Sequence, residues 1–305
     1  MQNLYRGLCD ASAAVMLDGT TFVVADDEHN HLHYYRLGQE TELGTLDLAG
    51  FLGTARGKES DLEGAARIGH RTWWIGSHSR NPDGEEKRKR HRLFALDLAQ
   101  TRDGPRLVFA GTPFRGLLAE LIAADKTWGF GLEQASQLAA EAEGGLNIEG
   151  LAAGLDGSLL IGFRNPLVQG KALIVPLLNP DELIFEANEE PGLARFGAPI
   201  LADLGGRGIR DLDRYGDCTL AVAGPTADEG DFRLYRLPDA APAPPLDIGL
   251  ELDPDLHPEV VFVIPDTNHA VILSDDGKRD MGGTSCQDLA PEERCFRSIT
   301  VDLPA

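Results

Sequence analysis

Two glutamates recur in closely matched surroundings. Glu63 lies in Asp61-Leu62-Glu63-Gly64-Ala65-Ala66 and Glu149 in Asn147-Ile148-Glu149-Gly150-Leu151-Ala152, and each phrase leads to an apolar run ending in glycine, Trp73-Trp74-Ile75-Gly76 and Leu159-Leu160-Ile161-Gly162. Beyond those glycines follow Ser79-Arg80-Asn81-Pro82 and Phe163-Arg164-Asn165-Pro166. A carboxylate, a guanidinium and an amide therefore travel together. Arg80 and Arg164 can clamp a phosphate or carboxylate with two parallel hydrogen bonds, Asn81 and Asn165 can add further ones, and Glu63 or Glu149 can serve as general base. His78 adds a titratable candidate between them. Its neighbours Ser77 and Ser79 do not make a serine nucleophile, because the Gly-x-Ser-x-Gly elbow is absent and adjacent strand residues point to opposite faces.

The elements that must carry these groups repeat as well. Residues 10–14 lead through Asp18-Gly19 to Thr21-Phe22-Val23-Val24-Ala25; Ile209-Arg210-Asp211-Leu212 leads to Leu220-Ala221-Val222-Ala223-Gly224; Pro258-Glu259-Val260-Val261 leads to Ala270-Val271-Ile272-Leu273-Ser274. Five units result, each with a third apolar stretch, at residues 32–37, 92–98, 172–178, 232–237 and 297–303. Alternating polarity, β-branched enrichment and Gly/Asp turns mark these stretches as strands. Fourth strands are read at 43–48, 107–110, 199–204 and 246–250. The last unit lacks one, and residues 3–8 are free to supply it. Four-stranded repeats closed by the first strand describe an all-β, five-bladed β-propeller spanning residues 1–305, with six blades as the alternative should a degenerate one be hidden. Residues 114–145 break the period with helical spacing at Leu117, Leu118, Leu121 and Ile122, a helical insertion between blades 2 and 3 that either caps one face or packs on the rim. Ala240 to Pro245 reads as a rigid connector.

In that topology the loop entering each inner strand shares a face with the loop between the second and third strands. Asp10, Asp61, Glu63, Glu149, Asp211 and Glu259 then gather at one channel mouth, joined from the other loop set by Asp26, Asp27, Glu28, Asp275 and Asp276. Crowded carboxylates repel one another unless a cation intervenes, and oxygen ligands suit calcium or magnesium. The expected chemistry is metal-dependent hydrolysis of a small anionic ester, a phosphoester or lactone. The alternative is a non-catalytic propeller that binds a ligand or protein partner there. Glu63 and Glu149 also admit a structural reading, as acceptors that hold neighbouring blades together.

A formal net charge of −21 over 305 residues argues against nucleic acid and membrane surfaces as partners. No leader is evident at Met1 to Arg6, so the cytoplasm is the expected compartment. Four cysteines show no CxxC spacing; Cys286 and Cys295 bracket a polar loop and could pair in an oxidising setting, whereas reduced thiols suit the cytoplasm. His29, His31 and His33 alternate at a polar turn without a recognisable tetrahedral ligand set. The run from Glu85 to Arg92 either collects an anion or is a solvated loop.

Tyr5 to Ala13, Val24 to Asn30, Glu59 to Ala65, and Gly76-Ser77-His78-Ser79-Arg80-Asn81 with His91-Arg92-Leu93-Phe94 resemble a bacterial family catalogued as a domain of unknown function. That resemblance implies a β-propeller and assigns no catalytic residue. The Asp/Asn-x-Glu-Gly phrase is more loosely similar to phytase-like esterase propellers, which implies calcium and a phosphate ester.

Overall fold

Short apolar strands cut by Gly and Asp turns bury themselves by stacking as separate small sheets, and the computed structural model arranges them as a ring. It describes residues 2–26, 29–54, 58–186, 189–227, 230–239 and 243–304. Asp27, Glu28 and the first half of the proline-rich connector lie outside the described residues. The chain begins with β1 (Gln2–Arg6) and then forms blade 1 from β2 (Ala11–Met16), β3 (Thr21–Asp26), β4 (His31–Arg36) and β5 (Gln39–Asp47). A single helical turn, α1 (Ala49–Leu52), precedes blade 2, which is β6 (Leu62–Ile68), β7 (Arg71–Gly76), β8 (Leu93–Thr101) and β9 (Gly104–Phe114). After α2 (Leu117–Trp128) and α3 (Leu132–Ala135), blade 3 follows as β10 (Asn147–Ala153), β11 (Leu159–Asn165), β12 (Ala172–Leu177) and β13 (Ile200–Ala202). Blade 4 is β14 (Gly208–Tyr215), β15 (Cys218–Gly224), β16 (Arg233–Pro238) and β17 (Leu246–Asp247).

The last sheet runs β1, β20 (Cys295–Asp302), β19 (His269–Ser274), β18 (Pro258–Val263), so the first strand completes the fifth blade. The five blades and their closure match the sequence reading. Leu4 faces Arg297 and Tyr5 faces Phe296 across that closing pair. Tyr5 also packs on Phe22 and Tyr35 of blade 1, with ring centroids 5.1 and 5.4 Å away. Closure is covalent too. Cys9, at the entry to β2, is bonded to Cys286 in the β19–β20 connection, while Cys295 is a buried free thiol. This corrects the expectation of a Cys286–Cys295 pair or of reduced thiols throughout. Cys295 instead uses its backbone, its N–H lying 3.4 Å from Cys286 Sγ.

Core residues fill the seams between blades. Trp73 packs in the cluster shared with blade 3 and its neighbour Trp74 in the one shared with blade 1, as alternation requires. The turn before β3 is set by Asp18, whose Oδ1 accepts the Thr20 and Thr21 N–H groups at 2.7 and 2.6 Å. Helix α2 buries Leu117 and Leu121 against the blade 2 and blade 3 cluster, and α3 buries Leu132 and Ala135 there. Asp125 joins the two helices by accepting the Phe130, Gly131 and Leu132 N–H groups at 2.8 to 2.9 Å. The insertion thus packs on the rim. Its tail, Ala139 to Ala142, continues to the channel mouth. Among the described residues, no helix is long and apolar enough to cross a membrane.

Candidate functional site

A β-bulge at the same point of every inner strand builds the mouth. β6 pairs Leu62 with Gly76 and then Gly64 with Ile75, which makes Glu63 the extra residue. The same slip makes Ser12, Glu149, Arg210 and Glu259 the extra residues of β2, β10, β14 and β18. A bulge bends its strand and re-aims the inserted side chain. All five side chains line one cavity of about 900 Å³. The glycine of the Glu-Gly phrase has a separate cause. A Cβ on Gly64 would lie 2.9 Å from Leu151 Cβ, and one on Gly150 would lie 2.6 Å from Ile209 Cγ2, so each glycine lets the next blade's inner strand approach.

The cavity is a network of mixed charge rather than a ring of carboxylates. Glu149 is buried between two arginines, its Oε1 3.1 Å from Arg164 Nη1 and its Oε2 3.0 Å from Arg210 Nε, and it accepts a hydrogen bond from Asn147 Nδ2 at 2.7 Å. Arg210 also grips Glu259, with Nε donating to Oε2 at 2.8 Å and Nη2 donating to Oε1. Burial lowers the Arg210 pKa, with Glu149 opposing the change. Arg90 reaches in from the basic run, pairing with Glu59, placing Nη1 2.9 Å from Asp61 Oδ2, and donating to Ser79 Oγ at 3.0 Å. Burial raises the Asp61 carboxyl, and Arg90 holds against the rise. Glu63 stands in the electrostatic field of Arg90, Arg164 and Arg210.

The residues singled out from the sequence divide. Asp10, Asp61, Glu63, Glu149, Glu259, Arg80 and Arg164 line the cavity. Arg80 spends its guanidinium on the insertion and its own loop, donating to Ser136 O, Gly84 O and Gln137 Oε1 at 2.8 to 2.9 Å. Asp211 is corrected in place: the bulge hands the mouth position to Arg210, and Asp211 Oδ2 accepts the Val261 N–H of blade 5 at 2.8 Å. Burial pushes its carboxyl well above the usual range. His78 is buried away from the cavity wall, stacked on His91 at 5.5 Å with Nδ1 donating to Gly76 O at 2.8 Å, and burial pulls its pKa down to about 3. Asn81 folds back on Glu85, while Asn165 Nδ2 ties the insertion's Ala140 O to Thr226 O at 3.1 and 3.0 Å. Asp276 is fully engaged by Arg297, at 2.6 to 3.1 Å.

Calcium needs about six to eight oxygen ligands and magnesium six. Glu149 and Glu259 give theirs to guanidinium groups and Asp211 gives its to a strand, so these three carboxylates are already engaged within the protein. Among the described residues no group of three or more His, Cys, Asp or Glu side chains is placed to hold a metal. Sequence reasoning missed Ser12, Arg90, His257 and Glu141 as wall residues. Arg90 was visible as part of a charge run, and Ser12 was one bulge away from the aligned Ala11.

A family model described as a protein of unknown function, DUF3616, matches residues 10–120 and 108–269. The chain belongs to the DUF3616 family. No curated protein matches this DUF3616 chain. Among solved structures it is similar to U3-55K, at 12% identity and TM-score 0.41, covering 90% of this chain and 62% of that one. A putative oxidoreductase (glucose dehydrogenase) from Thermus thermophilus aligns at 13% identity and TM-score 0.46, over 99% of the DUF3616 chain and all of its own. The PQQ-bound aldose sugar dehydrogenase from Streptomyces coelicolor aligns at 12% identity and TM-score 0.45, over 99% of each chain.

Proposed function

We propose that the channel mouth is a recognition site for a small polar molecule. One observation carries this reading: five bulged positions, one from each blade, converge with the insertion's tail on a single cavity of about 900 Å³. Holding blades together requires buried pairs such as Arg210 and Glu149, but it does not require a hollow. Ligand sites commonly enclose about 300–1,000 Å³, lined by a few convergent polar groups. The test is a thermal-shift screen of polar metabolites on the wild type and on Ser12→Tyr, which fills the mouth from blade 1. Stabilising compounds that lose their effect in the variant support the site. Compounds that bind both proteins equally, or no binding at all, refute it.

A second reading is favoured by one residue. Glu63 is a partly exposed carboxylate in the field of three arginines, a setting in which it can take a proton from water as that water adds to a lactone or phosphoester. The leaving alcohol then receives the proton. Turnover of an ester panel that vanishes in Glu63→Gln, with an unchanged melting temperature, supports hydrolysis; its dependence on added calcium or magnesium tests the metal-assisted form. Turnover that survives Glu63→Gln removes this reading.

A further inference from the structure

We propose that Glu141, on the insertion's tail, stands in for part of the ligand: the molecule that the mouth takes carries an oxyanion, a carboxylate or a phosphate, which replaces Glu141 on Arg164. The proposal rests on the recognition reading above and names its ligand class. Arg164 is fixed by the frame of the propeller. Its Nε donates to Pro225 O at 3.1 Å, its Nη1 to Glu149 Oε1 at 3.1 Å and its Nη2 to Ala227 O at 3.0 Å. A fourth bond, from Nη2 to Glu141 Oε1, is the longest of the set at 3.4 Å. Charge-assisted hydrogen bonds ordinarily close to about 2.7–2.9 Å. The two glutamates therefore hold one guanidinium in different ways. The Glu149 side chain is 3% exposed and bridges Arg164 and Arg210 at 3.1 and 3.0 Å, whereas that of Glu141 is 47% exposed and meets Arg164 from the solvent side.

The tail gives up this contact at little cost, because half-exposed ion pairs contribute little to stability. No side chain from Ser136 to Glu143 is buried, and none joins the apolar cluster that anchors α2 and α3. The tail also keeps its place without Glu141, since Arg80 donates to Ser136 O and Gln137 Oε1 and Asn165 donates to Ala140 O. Within it the Ala142 N–H donates to Ala139 O at 3.1 Å and the Gly145 N–H to Ala142 O at 2.8 Å. Glu141 can thus leave Arg164 by side-chain rotation alone. Charge favours exchange over addition. Seven carboxylates and five cationic side chains line the mouth, so an anion that enters beside Glu141 deepens the excess, while one that takes its place leaves the balance as it was. The vacated Nη2 is already oriented by the other bonds of the guanidinium, which spares the ligand the cost of ordering it. Ala139, Ala140 and Ala142 line the cavity beside the contact, and their short side chains leave room for the rest of the molecule.

The experiment is titration calorimetry of the full chain with inorganic phosphate and with acetate, on wild type, Glu141→Gln, Glu141→Asp, Glu143→Gln, Arg164→Lys and Ser12→Tyr, each checked for folding by circular dichroism. At least one of the two oxyanions should bind the wild type, and which one does so tells a phosphate ligand from a carboxylate. Its affinity should rise about fivefold in Glu141→Gln, the size of a half-exposed ion pair that no longer competes. Glu141→Asp should show the same rise, because the shorter side chain keeps its charge but falls short of Arg164. A general charge effect would instead spare Glu141→Asp and appear in Glu143→Gln. Binding should weaken in Arg164→Lys and vanish in Ser12→Tyr; if Arg164→Lys fails to fold, the comparison of the two Glu141 variants with Glu143→Gln decides. Oxyanion affinity that is unchanged in Glu141→Gln, or raised equally by Glu143→Gln, overturns the proposal. So does binding of a neutral compound from the thermal-shift screen, lost in Ser12→Tyr, when neither oxyanion binds any of the proteins; that result leaves the mouth as a recognition site. No ligand of any class at the mouth overturns both.

Discussion

Arg210 Nε lies 3.0 Å from Glu149 Oε2, so the inner strands of blades 3 and 4 are joined by a buried ion pair at the floor of the mouth. Removing one member of such a pair strands the other charge, which costs about 3–5 kcal/mol. Glu149→Ala, which leaves Arg210 paired with Glu259 alone and Arg164 with Glu141 alone, should lower unfolding free energy by up to about that amount in denaturant titration. A double-mutant cycle with Arg210→Ala should return a coupling of more than about 1 kcal/mol, because neighbours in one network are not additive. Additive losses would show that the pair contributes nothing as a pair.

The Glu-Gly phrase predicts a second stability effect. Alanine at Gly150 meets Ile209 Cγ2 at 2.6 Å, and alanine at Gly64 meets Leu151 Cβ at 2.9 Å. Overpacking of this kind costs about 1–3 kcal/mol. Gly19→Ala, with nothing within 4 Å, serves as the control and should stay near wild type. Equal melting temperatures for all three variants would contradict the close approach of the blades.

Ring closure by Cys9 and Cys286 is open to direct assay. The bond links positions 277 residues apart, and breaking a disulfide that closes a long loop costs about 2–5 kcal/mol. Cys9→Ser and Cys286→Ser should each destabilise the protein and should abolish any further effect of reductant. Cys295→Ser should leave the reductant effect in place. Non-reducing peptide mapping that finds Cys286 joined to Cys295 would refute the pairing.

Asp213 sets a pH dependence. Its Oδ2 accepts the Val263 N–H at 2.7 Å, and burial pushes its carboxyl up to about 6. The folded protein therefore keeps this proton at pH values where the unfolded chain has lost it. The resulting stabilisation is fully present below the ordinary carboxylate range, fades as pH rises towards 6, and is absent above that. Asp213→Asn should match the wild type near pH 4 and exceed it in melting temperature at pH 7.5. A variant that is less stable at pH 7.5 would refute the assignment.

The fold was legible because its signal is repetition: strand, turn and strand recur five times, and the outer strand missing from the last repeat points to β1. The site was legible only in part. Glu63, Glu149 and Glu259 were found by alignment, since each occupies the same bulge. Asp211 was misplaced because a bulge shifts facing by one residue, and the two-residue period of a strand gives no warning of it. The arginines were harder to read. Nothing in the local sequence tells Arg90, which turns into the mouth, from Lys87 and Arg88, which pair with Glu85 and Glu86 on the exposed side of the same loop. His78 and Asn165 drew attention because they sit in polar strings; His78 Nδ1 donates to Gly76 O, and Asn165 Nδ2 moors the insertion at Ala140 O.

The pairing of β1 with β20 also governs when the molecule can be finished. Every other strand pairs with one made just before or after it, whereas Gln2 must wait for Ile299. During synthesis β1 has no sheet to join until β20 has emerged, and contacts of such long sequence separation form late. Until then both the third strand of blade 5 and the segment meant for it stay open to pairing with other chains. The seal that makes the ring durable is thus also the step at which nascent copies are most exposed to one another.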